Sequence, residues 1–111
     1  SAFDVYRLLK NVYNKRNLDE KSSKLFYDIL RKQQDKKMAG YFLKDSINFA
    51  HKTGDLKGIN HDVGLFIDNK TFFIVLTWGS SNFVLPRRWI GKFALEIYQI
   101  LRGVDNDNKW Y

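Results

Sequence analysis

The sequence predicts an α+β domain, a three-stranded antiparallel sheet with flanking helices, and three features point there. Apolar residues repeat at helical spacing near both ends of the chain. From Ile47 the pattern alternates, and two apolar runs, "VGLFI" and "TFFIVLTW", flank the turn residues Asp68, Asn69 and Lys70.

Taken in order, Ser1 stands three residues before Asp4 as a helix cap. Val5, Leu8, Leu9, Val12 and Tyr13 then follow an amphipathic stripe, so the first helix is expected over about 2–14. Asp19 caps a second, with Glu20 in its first turn and Leu25, Phe26, Ile29 and Leu30 as a narrow apolar face, over about 20–34. "DKKMAGYFLKD" breaks both periods, and Gly40 makes it a connector. Strands are expected over about 47–53, 62–67 and 71–78, the last two as a hairpin. Because that hairpin is apolar at nearly every position, helices should cover both faces, with Trp78 and Trp89 in the core. Pro86 suits the first turn of a last helix over about 87–102, with Ile90, Phe93, Ala94, Ile97 and Leu101 as its core stripe and Gly103 as its end.

The chain has 111 residues with 44% hydrophobic content, which fits one unit over 1–111. No apolar stretch approaches the roughly 20 residues of a membrane span, and no signal-peptide pattern opens the chain. The absence of cysteine excludes disulfides, thiol nucleophiles and Cys-based zinc sites. A net charge of +7 is compatible with anionic partners, but the cations are dispersed and the aromatics lie on periodic apolar faces, so no nucleic acid is expected.

Lys52-Thr53-Gly54 ends the first strand. A lysine ammonium and a threonine hydroxyl suit a carboxylate, and a glycine lets a ligand lie against a strand edge without meeting a Cβ. The wider text, "HKTG", a short turn, "HDVGLF" and a strong following strand, resembles the class A β-lactamase family of penicillin-recognising serine hydrolases. So do the two preceding helices joined by "NKRNLDEKSS" and the closing helix after "TWGSSN". The likeness runs along essentially the whole chain and corresponds to the carboxyl-terminal part of that family's fold. It implies a partial β-lactamase/transpeptidase-like fold in which Lys52 and Thr53 bind the carboxylate of a β-lactam or D-Ala-type peptide. It also implies that the N–H of Asp55 is an oxyanion-hole donor. From position alone, Gly54 leaves room and His61, a basic side chain on the neighbouring strand, is in reach to help shape the carboxylate site.

The nucleophile that the resemblance calls for is not in these residues. Ser1, Ser22, Ser23, Ser46, Ser80 and Ser81 are followed at the third place by Asp4, Leu25, Phe26, Phe49, Phe83 and Val84, never lysine, and no Ser-Asp-Asn occurs. The chain by itself is therefore expected to be catalytically silent. Its first residue is already a helix cap, which reads as a chain cut from a longer one whose amino-terminal part carries the serine and base. The resemblance places that parent outside the cytoplasmic membrane and implies no metal or organic cofactor. A non-catalytic module on the same scaffold is a second reading, and a basic nucleic-acid-binding domain a third with no module pattern to support it. His51 shares a side with Ile47 and Phe49 and reads as a packed, hydrogen-bonded ring. Adjacent His61 and Asp62 point to opposite faces and are poor partners, so Asp62 is expected to satisfy buried backbone or a nearby cation, and no zinc site is indicated. Apolar side chains left bare by truncation predict a homo-oligomer or segment exchange.

Overall fold

A computed structural model of the chain describes residues 1–79 and 84–107, the last four of these by backbone alone. Ser1 and Asp4 form a reciprocal capping box that starts α1, Ala2–Tyr13. Asp19 accepts the Ser22 N–H at 2.7 Å and starts α2, Glu20–Arg31. This helix stops short of 34 because its last turn tightens: the N–H groups of Lys32 and Gln33 bond three residues back, to Ile29 and Leu30. A short 3₁₀ turn, Ala39–Tyr41, interrupts the connector.

The sheet has the order β1-β2-β3, with β1 Phe49–Leu56, β2 Ile59–Phe66 and β3 Thr71–Trp78, all antiparallel. β1 starts later than 47 because Ile47 and Phe49 are tied into local turn bonds to Lys44 and Ile47. It also runs three residues beyond Thr53, since Gly54, Asp55 and Leu56 pair with His61, Asn60 and Ile59. Lys57-Gly58 closes that hairpin, with Gly58 at φ 75°, a value glycine adopts without penalty.

Cross-strand partners share a face, so the register sorts the side chains. One face carries Ala50, Leu65 and Phe72, covered by Val12 of α1 and Tyr27 of α2, whose hydroxyl donates to the Leu9 carbonyl at 2.7 Å and locks the two helices together. The other carries Phe49, Phe66 and Phe73, covered by Met38, Ala39 and, from α3 (Val84–Asp107), Ile90 and Ala94. α3 passes Gly103 without ending: one glycine costs a helix only about 1 kcal/mol. The text "GSSN" after Trp78 lies largely outside the described residues, as do 108–111. Trp78 and Trp89 do not enter the core: they are 82% and 57% exposed, because Trp78 ends an edge strand past the covering helices and Trp89 lies on the outer side of α3. Among the described residues no helix is long and apolar enough to cross a membrane.

Candidate functional site

β1 is an edge strand, and hydrogen-bond parity decides which of its backbone groups are free. The Ile67 N–H donates to the Asn48 carbonyl, extending the ladder by one bonded pair. In an antiparallel ladder bonded pairs alternate, so the even positions 50, 52, 54 and 56 turn their backbone groups to β2. The odd positions, including Thr53 and Asp55, turn theirs outward. α2 packs on one face and Ala39–Tyr41 on the other, so chain 32–38 crosses the outer edge of β1. It crosses at Thr53, whose hydroxyl donates to Asp35 Oδ2 at 3.2 Å and accepts from Gln33 Nε2 at 3.0 Å. Beyond that crossing Gly54, Asp55 and Leu56 are exposed, and the sheet face at Gly54 is open too, since an added Cβ there would meet nothing within 4 Å.

Lys52, Gly54 and His61 share one face, with His61 directly opposite Gly54 and diagonal to Lys52. The exposed Lys52 bends its ammonium onto the outward-pointing Thr53 carbonyl. His61 is half-buried, and its Nδ1 accepts the Thr77 N–H at 3.1 Å, which places the ring hydrogen on Nε2. Thr53 lies on the opposite face and is buried, so the structure separates its hydroxyl from Lys52 and His61. The Asp55 carboxylate by itself would repel an anionic ligand, but Arg87 Nη2 holds it at 2.7 Å while Arg87 Nε donates to Asn60 Oδ1 at 3.1 Å.

Two relationships had no signature in the sequence. Arg87 read only as one of many dispersed cations, and its partnership with Asp55 depends on how α3 crosses the strand ends. His51 pairs with Asp62, at 2.9 Å from Nδ1 to Oδ1, because both fall on the face covered by the connector, one diagonal step apart in the register. The Asp62 carboxylate also accepts the Ala39 N–H at 2.9 Å. Among the described residues no group of three or more His, Asp or Glu side chains converges to hold a metal.

The fold and edge together define an α+β domain with an open, lysine-bearing strand terminus beside a hairpin. The beta-lactamase enzyme family model matches residues 1–101, and the chain belongs to that family. No curated protein matched the sequence. Among solved structures, a beta-lactamase from Sphaerobacter thermophilus is similar with a TM-score of 0.73 at 22% identity, over 85% of this chain and 37% of its own. The structure of PBP-A is similar with a TM-score of 0.69 at 19% identity, over 86% of this chain and 37% of its own. At these identities the likeness is one of fold, and this chain spans little more than a third of either neighbour.

Proposed function

We propose that this chain is the carboxyl-terminal, substrate-binding part of a serine β-lactamase-like hydrolase whose remaining part carries the nucleophile and base. The observation that carries this reading is the outward-pointing Asp55 N–H beside the open strand edge at Gly54, with Lys52 and His61 on the adjoining face. An anionic acyl donor laid along that edge puts its carbonyl oxygen toward the Asp55 N–H, where a developing oxyanion is stabilised. The Lys52 ammonium exchanges the Thr53 carbonyl for the ligand carboxylate, and His61 Nε2–H lies one diagonal step away as a further donor. Thr53 joins them only by releasing Asp35. In the whole protein the acyl group passes from a β-lactam or D-Ala-type amide to serine and then to water, in a parent that acts outside the cytoplasmic membrane.

Mass spectrometry after incubation with a reporter penicillin tests this: no covalent adduct on these 111 residues, and an acyl adduct on the full-length protein, whose acylation rate falls about 10- to 100-fold in Lys52→Ala, the worth of one charge-assisted hydrogen bond. An adduct on this chain overturns the division of labour. A second reading, a non-catalytic module on the same scaffold, is favoured by one observation: the Thr53 hydroxyl and the Lys52 ammonium both already have partners within the chain. Full-length protein that binds penicillin without acylation would support it.

A further inference from the structure

His51 is 3% exposed, and one of its two ring nitrogens has a hydrogen-bond partner among the described residues. Nδ1 faces the Asp62 carboxylate, whereas Nε2 has no hydrogen-bond partner among the described residues. The ring edge bearing Nε2 turns toward Gly40, where an added Cβ would stand 3.7 Å from it, and into a cavity of about 40 Å³ between the end of α2, the connector and β1. That is roughly three times the space one water needs. Glycine at 40 keeps it open.

Charge decides what such a cavity holds. Arg31, Lys36 and Lys44 line it against a single carboxylate, Asp45, which Lys36 holds at 3.3 Å. Arg31 shares Asp28 at 3.7 Å with Lys24, and the exposed Lys44 ammonium has no partner among the described residues. A cation is repelled. We infer that this cavity is a binding site for a small tetrahedral oxyanion of the sulfate or phosphate kind, with one oxygen on His51 Nε2 and the others among Lys44, Lys36 and Arg31. Bound there, the oxyanion ties the connector that crosses Thr53 to the strand beneath it.

The proton count gives the inference a signature of its own. A carboxylate only accepts, so Asp62 keeps a hydrogen on Nδ1, and Nε2 donates to an oxyanion only when the ring takes up a second proton. Binding and protonation are then reciprocal. The groups facing the ring are Asp62 from β2, Lys36, Lys44 and Asp45 from the connector and Arg31 from α2, while Lys52 on the same strand points to the other face.

The test is a sodium sulfate titration of the 111-residue chain at constant ionic strength against chloride, followed by the His51 ring resonances and by calorimetry in two buffers of different ionisation enthalpy. Saturable binding is expected, with proton uptake and an affinity that falls as pH rises, and with a loss of about tenfold in Lys44→Gln. The melting temperature of that variant in chloride should match the parent, which separates loss of the site from loss of the fold. A linear, non-saturating response, an unchanged affinity in Lys44→Gln, or binding without proton uptake each overturns the inference.

Discussion

The Asp62 carboxylate joins three segments at once: Oδ1 lies 2.9 Å from His51 Nδ1 on β1, and Oδ2 accepts the Ala39 N–H of the connector at 2.9 Å. Asp62 itself is on β2 and wholly buried. Asp62→Ala leaves an imidazole N–H and a backbone N–H without their acceptor, at a cost of about 2–6 kcal/mol, roughly 1–3 for each orphaned donor. Asp62→Asn keeps the shape and an acceptor and should cost about 1–3 kcal/mol. Urea unfolding of both variants checks the order, and equal midpoints for all three proteins would refute it.

Two glycines on the same hairpin should respond in opposite ways. A Cβ at Gly64 would stand 2.3 Å from the Ala50 carbonyl oxygen and 2.7 Å from His51 Cβ, so β1 and β2 must part to admit it. Gly64→Ala is expected to cost about 3 kcal/mol, the upper end for overpacking. Gly54→Ala meets only open space and should leave stability within about 0.5 kcal/mol. If the edge at Gly54 receives the ligand, the same harmless methyl slows acylation in the full-length protein. Denaturation curves and acylation rates of the two variants test both halves.

Acid should weaken α2. The Ser22 backbone N–H bonded to Asp19 holds that carboxyl below its ordinary value of 3.8, and the hydrogen bond from Lys24 does the same for Asp28. A carboxyl whose folded pKa is lowered lends stability that is complete above the ordinary value and lost as pH falls through the folded one. Helical circular dichroism should therefore hold from neutrality down to about pH 4 and decline below it. Asp19→Asn should remove part of that decline, since its amide oxygen still accepts from Ser22 but no longer titrates. An acid transition unchanged in Asp19→Asn would count against the cap as its source.

How much of this was legible in the sequence depends on whether a feature is local. The caps at Ser1 and Asp19, the helical stripes and the alternating run after Ile47 are written within a few residues of where they act. The His51–Asp62 pair is not: it depends on the register of β1 on β2, and a one-residue slip would place the two on opposite faces. The outward turn of the Asp55 N–H depends on the same register. Trp78 and Trp89 were misplaced because hydrophobicity states a preference for burial without stating what is present to supply it.

Those exposed side chains give the last expectation. Leu56, Ile59 and Trp78 form a row across one end of the sheet, since Ile59 is the cross-strand partner of both Leu56 and Trp78. Leu56 is 71% exposed and Trp78 is 82% exposed. On the opposite face Trp89 stacks on Phe93 with ring centres 5.4 Å apart. Burying one such side chain is worth about 1.5–3 kcal/mol, so a second copy that covers the row gains several such increments against the cost of association. We therefore expect the isolated chain to self-associate, and Trp78→Ser to weaken that association about tenfold or more, equivalent to about 1.4 kcal/mol. Its stability should hardly change, because the residue is not in the core. Sedimentation velocity over a concentration series reads both: a monomer at every concentration would show that the exposed row does not drive assembly, and unchanged association in Trp78→Ser would move the interface elsewhere.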